Sequence, residues 1–410
     1  MTRARVASRR RAVTGALALV SAVTVTGCST ATGGAGAGTA HDDTAGVSST
    51  EIHLGISNAL TGPVAAVCLP ASQGAQSWLE MVNDAGGVHG RKVVVDVLDD
   101  ASDAPRAVAN VRELTGQGVF AMFGGCGTVS AAAISSALEG TDVPYLFPYA
   151  ALPDLLEPVQ KNVFSLLPLY RDQAYTGVST IVGADPGSVY AVTSQIPGYE
   201  STVAGATAGV EAAGGTLTAS SLLPATNAPA EQEAAKVGQK SADYLAMTVL
   251  SPDAARLLNA LAGAGDLPRK AVIGSSPFAA QSFADALDPR AASLLRVLSP
   301  TVPPTDERAQ ECVAALQKYS PDTKPDALAL FGCAAAQVLV AGLEAAGEDL
   351  TRSGLVSALE GMGGEEVSPL LPPVNFSAER HLGPESMFLL GLDSDGGYTV
   401  EDTVELETAP

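Results

Sequence analysis

Apolar and polar positions follow a repeating order along most of this chain. A short run rich in Val, Ile and Leu gives way to a Gly-containing or polar turn, then to a longer stretch with helical spacing. The first run is Ile52-His-Leu-Gly-Ile-Ser57, and further strand-like runs fall at 92–98, 119–123, 144–147, 163–166, 188–193, 216–222, 244–249, 270–274 and 294–299. Helical patterns lie between them at 71–83, 104–114, 129–138, 173–183, 203–213, 230–239, 254–262 and 279–287, with two more at about 305–319 and 326–346. Ser102-Asp103 ahead of Pro105, and Ser251 ahead of Pro252, are the expected helix-start signals. Strictly alternating strand and helix predicts parallel sheets covered on both faces.

The N-terminus changes this picture first. Arg3, Arg5, Arg9, Arg10 and Arg11 precede an apolar run from Ala12 to Val25 that is too short to span a bilayer comfortably. Val25-Thr26-Gly27-Cys28 matches the bacterial lipoprotein processing box. We read 1–27 as a lipoprotein signal peptide cleaved before Cys28, with a lipid on the Cys28 sulfur; Ser8-Arg9-Arg10-Arg11 echoes a twin-arginine export signal only in part. Residues 28–49, mostly Gly, Ala, Ser and Thr, read as a flexible tether. The remaining stretch of about 360 residues exceeds what one core organises, so two lobes are expected.

Charge narrows the partners. The chain has 44 acidic and 23 basic residues, and loss of the five signal arginines leaves 44 against 18, a net −26. Such a surface argues against nucleic acid and against an anionic membrane face. We read no second long apolar run, so the mature chain is expected to meet the membrane only through Cys28.

Cys68, Cys126, Cys312 and Cys333 make an even set in an exported chain, consistent with two disulfides in one of three connectivities or with four buried thiols. Cys312 and Cys333 lie on helical segments about equally far from the turn at Ser320–Pro325. Cys68 and Cys126 each fall just past a parallel strand at a helix start. This placement favours Cys68–Cys126 and Cys312–Cys333.

The segment Glu51–Asp100 carries the most specific pattern: Ile52-His-Leu-Gly-Ile-Ser, Leu60-Thr61-Gly62-Pro63, Gly86-Gly87-Val88-His89-Gly90-Arg91-Lys92, then Val93-Val-Val-Asp-Val-Leu-Asp99-Asp100. Strand, polar loop, helix, turn and strand form a β-α-β unit. It resembles the start of the branched-chain-amino-acid-type (type I periplasmic-binding) extracellular solute-binding proteins of ABC importers, and the resemblance extends more diffusely to Leu392. It implies an α/β fold of two Rossmann-like lobes with parallel central sheets, joined by a three-strand hinge. Lobe 1 would take 50–168 plus 300–358 and lobe 2 would take 169–299 plus 359–405, with Pro373–Gly383 as the returning strand and turn. It also implies a small-molecule ligand, permease subunits of an ABC transporter as partners, and a monomer.

Ligands of open α/β sheets sit outside the carboxyl ends of the strands. That rule selects Asn58 and Thr61 after the first strand and Tyr149 and Ala150 after the fourth. After the third strand, Gly124-Gly125-Cys126-Gly127-Thr128 opens a helix, and Gly127, Thr128 and Ser130 form the best anion site on the chain. In the resembled family this loop holds the ligand's carboxylate. From lobe 2 come Tyr170, Gln195, Tyr199, Ser251, Ser275 and Ser276. Asp99 and Asp100 read as a helix cap or a support for the cleft. Amino-acid binders of that family commonly set a carboxylate against the ligand's ammonium, and the loops Tyr149-Ala150, Thr248–Ser251 and Gly274–Pro277 contain none. An unpaired buried ammonium is costly, so the expected ligand is a small carboxylate or a neutral polar compound rather than a free amino acid.

The four histidines show no metal-ligand spacing, and neither a phosphate loop nor a nucleophile elbow occurs. No catalytic residue, metal or cofactor is therefore expected. The reading is a lipid-anchored substrate-binding protein on the outer face of the cell membrane, closing on a solute and delivering it to an importer. The alternative is a lipoprotein of the same fold that senses its ligand without transport.

Overall fold

The computed structural model describes residues 43–62 and 64–410; the signal peptide, Cys28 and the tether as far as residue 42 lie outside the described residues. The first half of the chain alternates as β1 (Glu51–Asn58), α1 (Ala65–Asp84), β2 (Lys92–Asp99), α2 (Ala104–Gly116), β3 (Ala121–Phe123), α3 (Thr128–Leu138), β4 (Tyr145–Leu146), α4 (Pro153–Leu156) and β5 (Val163–Phe164). These strands form one sheet in the order β2-β1-β3-β4-β5, with every neighbouring pair parallel. β1 lies between β2 and β3, with Ile52, Leu54 and Ile56 alternating with His53, Gly55 and Ser57, and it is buried on both faces from Leu54 onward.

The chain continues as α5 (Tyr170–Ala184), β6 (Ser188–Gln195), α6 (Thr202–Ala212), β7 (Thr216–Pro224), α7 (Ala230–Lys240), β8 (Tyr244–Thr248), α8 (Ser251–Ala264), β9 (Ala271–Gly274), α9 (Gln281–Asp285), α10 (Pro289–Ala292) and β10 (Leu295–Ser299). After them come α11 (Gln310–Tyr319), α12 (Ala327–Ala346), α13 (Arg352–Glu360), β11 (Gly363–Glu365), β12 (Val374–Asn375), β13 (Ser386–Leu392) and β14 (Tyr398–Glu405). The second sheet has the order β14-β13-β10-β9-β8-β6-β7. Its core from β7 to β10 is parallel, but β13 runs antiparallel to β10, and β14 antiparallel to β13. The alternation of strand and helix does not predict this antiparallel edge. A hairpin turn at Asp393–Gly397 joins β13 to β14, so no crossover helix is needed.

α12 is long and apolar enough to cross a membrane by composition, contrary to the expectation of no second apolar run. It is apolar all round because it is a core helix, buried on most sides against α1, α11 and α13. Residues 43–49 are docked rather than free, so the expected tether is shorter than 28–49. Val47 bridges Ile52, the Asp43 carboxylate accepts from Ser353 Oγ, and the Asp43 carbonyl accepts from Arg352 N at 2.9 Å.

The chain passes between the sheets after β5, after β10 and before β13. Ser165 N donates to the His381 carbonyl (2.9 Å) and Gly383 N to the Ser165 carbonyl (2.9 Å), pairing the first and third passages. Phe376 packs on Phe147 and Phe164, and the His381 ring stacks 3.9 Å from that of Phe164. Phe376 and His381, within the segment 373–383, therefore pack on the first sheet. Within it only Val374–Asn375 is a strand, antiparallel to β11, in place of the longer returning strand expected at Pro373–Gly383.

Candidate functional site

The strand orders fix where loops diverge. In the first sheet the chain leaves β1 toward β2 on one side and β3 on the other, opening a crevice at the ends of β1 and β3. In the second, the same reversal lies between β6 and β8. The two crevices meet. A side-chain carbon at Gly198, in the loop after β6, would sit 2.9 Å from the Ala151 carbonyl and 3.7 Å from Thr128 Cγ2.

α3 begins at the first crevice. Its N-cap is Gly127 (φ 99°), and no side chain caps it, whereas α2, after β2, is capped by Asp103 accepting from Arg106 N at 3.0 Å. Thr128 and Ser130 are buried in its first turn. The Ser130 hydroxyl is committed to Asp100 Oδ1 at 2.9 Å. Asp100 is fully buried, also accepts from Ser57 Oγ (2.8 Å) and Ser102 N (2.8 Å), and thereby ties β1, the loop after β2 and α3 together. Asp99 holds the loop after β1 through Leu60 N (2.9 Å) and Thr61 Oγ1 (2.6 Å). Both acids support loops; capping falls to Asp103.

Tyr149, Tyr170 and Tyr199 form a buried cluster with Phe331 of α12. The Tyr149 and Phe331 rings meet edge to face at 4.9 Å, and those of Tyr170 and Tyr199 at 4.6 Å. Burial pushes the Tyr199 phenol up to about 12, with the Tyr170 side chain pulling the other way. Burial raises the Tyr149 phenol too; the Ser276 side chain is near enough to lower it but stops short of hydrogen-bond geometry. Ala150 is buried beside Tyr149. Ser275 and Ser276 present hydroxyls that are buried and lack a hydrogen-bond partner among the described residues, as does Asn58 Oδ1. Asn58 Nδ2 donates to the Cys68 carbonyl at 3.0 Å. Ser275 and Asn58 each line a cavity of about 20 Å³, the size of one water.

Three sequence candidates stand apart from this cluster. Thr61 is exposed and bound to Asp99, Gln195 is exposed at the end of β6, and Ser251 is half-buried at the start of α8. Three residues join the site unannounced. Gln173, buried in α5, accepts from Ser276 N at 3.1 Å. Phe331 contributes a ring. Asp326, the N-cap of α12 with Ala329 N at 2.8 Å, bears a negative charge that helps raise the Tyr149 phenol. Burial pushes the Asp326 carboxyl up while the Ala329 and Leu328 amides pull it down. An acid therefore does approach the cluster, from a helix start rather than a strand end. The sequence signal was the Pro325-Asp326 pair ahead of an apolar helix.

The disulfides join Cys68 to Cys126 and Cys312 to Cys333, with Cα–Cα distances of 5.2 and 6.4 Å. Among the described residues no three His, Cys, Asp or Glu side chains gather in a group able to hold a metal ion.

Residues 51–397 match the sequence pattern of the periplasmic binding protein family. The chain belongs to that family. The fold of this periplasmic binding protein is shared with a fatty acid ABC transporter substrate-binding protein from Thermomonospora curvata (20% identity, TM-score 0.78, covering 90% of this chain and 96% of that one). It is also shared with a solute binding protein of an ABC transporter from Rhodopseudomonas palustris BisB5, solved in complex with 3,4-dihydroxy benzoic acid (18% identity, TM-score 0.76, 88% and 99%). In sequence the chain is 35% identical over 114 residues to Leu/Ile/Val-binding protein homolog 3 of Brucella melitensis, a match spanning 28% of this chain and only 31% of that relative.

Proposed function

We propose that this periplasmic binding protein captures a small carboxylate-bearing solute by closing its two lobes, and passes it to the permease of an ABC importer. The observation that carries the reading is the uncapped N-terminus of α3 at the first crevice, directly across from Gly198. Three open amides and a helix dipole favour an anion there by roughly 0.3–1 kcal/mol when exposed and ~2 kcal/mol when partly buried. The Tyr149, Phe331, Tyr170 and Tyr199 rings supply an apolar wall, and the unpartnered Ser275 and Ser276 hydroxyls offer hydrogen bonds to a second polar group. The two structural neighbours that handle fatty acid and 3,4-dihydroxy benzoic acid agree with this ligand class. The lobes are 50–168 with 300–385, and 169–299 with 386–405. Export and a lipid on Cys28 would hold the protein, as a monomer, at the outer face of the cell membrane.

A thermal-shift panel of benzoate, 3,4-dihydroxybenzoate, octanoate and leucine tests the ligand class, because ligand binding to the native state raises the melting temperature. Stabilisation by a carboxylate and not by leucine is expected; stabilisation by leucine alone overturns it. The second reading, a free amino acid, draws on Asp326 as the ammonium partner. Asp326→Asn separates the two, abolishing leucine binding under the second and sparing benzoate under the first. Deleting the gene and measuring uptake of the bound solute separates delivery from sensing, and unchanged uptake would sink delivery.

A further inference from the structure

A covalent bond spans the crevice of the first sheet. Cys68 lies in the first turn of α1, after β1, and Cys126 in the loop after β3, so their disulfide joins the elements that leave β1 and β3, between which the strand order reverses. Both cysteines are buried. We propose that this bond is a positioning clamp for the ligand site, holding the N-terminus of α3 and Tyr149 in the geometry that receives a carboxylate. The proposal rests on the reading of α3 as the anion site.

Each end of the bond is tied to a site residue. The Cys68 carbonyl accepts from Asn58 Nδ2 at 3.0 Å. Cys126 is flanked by backbone bonds to Tyr149: Tyr149 N donates to the Gly125 carbonyl (2.8 Å) and Gly127 N to the Tyr149 carbonyl (3.3 Å). The bond thus fixes loops from β1, β3 and β4 to one another.

The loop it holds is costly to order. Gly124, Gly125 and Gly127 all have positive φ (59°, 80° and 99°), and glycine loses more conformational freedom on ordering than any other residue. Gly125 also sits so close to β1 that a side-chain carbon there would lie 2.6 Å from the Ser57 carbonyl, which forbids a stiffer residue. Close approach requires glycine, glycine loosens the loop, and the cross-link restores the order. A loop ordered before the ligand arrives need not be ordered by it, and affinity gains accordingly. The other disulfide joins α11 to α12, neither of which follows a strand of the first crevice, and it serves as the internal control for order in the 124–130 loop.

The test compares the wild-type protein with Cys68→Ala/Cys126→Ala, the volume-refilling Cys68→Val/Cys126→Ala, and Cys312→Ala/Cys333→Ala. Benzoate affinity is measured by calorimetry, and amide hydrogen exchange is followed in the ligand-free proteins. Both Cys68/Cys126 variants should bind benzoate at least about tenfold more weakly and exchange the amides of 124–130 at least about tenfold faster, with β6–β10 unchanged. The Cys312→Ala/Cys333→Ala pair should leave exchange at 124–130 at the wild-type rate. If the alanine pair does not fold, the valine variant carries the comparison. An unchanged Kd in a folded Cys68/Cys126 variant overturns the clamp, whatever the exchange rates. A wild-type protein that binds none of the carboxylates instead overturns the anion reading, and exchange at 124–130 then decides by itself whether the bond orders the loop.

Discussion

Gly332 and Gly183 should answer the same substitution with opposite signs. Both lie within helices, α12 and α5, where Gly→Ala is worth about 1 kcal/mol in helix propensity. At Gly332, however, a side-chain carbon would stand 1.8 Å from the Ala71 carbonyl oxygen and 3.0 Å from Ala75 N, both on α1. The contact is reciprocal, since Gly74 of α1 would place its carbon 1.9 Å from the Ala329 carbonyl of α12. The two helices touch backbone to backbone, so no flexible side chain can swing aside. Reaching even 3.0 Å, below which such carbons are essentially never found, means opening the pair by about 1.2 Å. A gap of 0.5–1 Å already forfeits a quarter to a half of a dispersion contact. Overpacking of a core typically costs 1–3 kcal/mol, and a backbone clash belongs near ~3 kcal/mol. Subtracting the propensity gain leaves Gly332→Ala less stable by ~2 kcal/mol. Gly183 is exposed and has nothing within 4 Å of the added carbon, so Gly183→Ala should gain up to ~1 kcal/mol. Urea denaturation of both variants and the parent, compared by midpoint at constant slope, reads the signs directly. A Gly332→Ala protein as stable as the parent would refute the backbone-contact argument for the α1–α12 interface.

Gly198→Ala should impair closure, because the new carbon meets the Ala151 carbonyl at 2.9 Å and Leu152 Cδ2 at 3.1 Å across the cleft. A steric cost of ~1–2 kcal/mol predicts roughly five- to thirtyfold weaker benzoate binding by calorimetry, and a Kd within twofold of the parent counts against it. Ser276→Ala removes a buried hydroxyl that has no partner among the described residues, so stability should be unchanged or rise by up to ~1 kcal/mol while the Kd for 3,4-dihydroxybenzoate rises about three- to tenfold; lower stability with an unchanged Kd contradicts the ligand role. Asp243 accepts from Ser188 N and Oγ (both 2.8 Å) and from Arg269, and these bonds hold its carboxyl well below the usual range. A lowered folded-state pKa gives stability that is present above the unfolded value near 3.9 and lost as pH falls through the folded one. Asp243→Asn should therefore melt lower than the parent at pH 7, with the gap closing below about pH 4; a gap constant down to pH 2 refutes it.

The hydrophobic pattern marks the ten strands up to residue 299, most clearly the inner ones, such as β8 and β9, that are buried on both faces and leave continuous apolar runs. Strand–helix alternation stops short of β13 and β14, although Ser386-Met-Phe-Leu-Leu-Gly-Leu392 is such a run. The alternation rule looks for a helix before each new strand, and a hairpin supplies none. The same rule shaped the site. Looking only past strand ends found Tyr149, Tyr199, Ser275 and Ser276, which the fold does bury together, and it also drew in Thr61 and Gln195. Thr61 is spent on Asp99, a partner 38 residues away that is hydrogen-bonded through the parallel β1–β2 pair, and no local pattern announces that bond.

What escaped the strand-end rule bears most on specificity. Asp326 and Phe331 reach the cluster from α12, which belongs to no β-α-β unit and arrives over the first sheet only after the chain has returned from the second. Loops after strands make the two walls, as the topology requires. α12 brings a third contribution whose position depends on its backbone contact with α1 at Gly74 and Gly332. The loops Tyr149-Ala150, Thr248–Ser251 and Gly274–Pro277 contain no acid, which argues for a carboxylate or neutral ligand, and Asp326 argues otherwise. Its oxygens are engaged by the amides of its own helix start, and burial raises its carboxyl. Both facts reduce its hold on an ammonium group. The proposed carboxylate reading therefore turns on how far the α1–α12 contact lets the Asp326 carboxylate approach the rings.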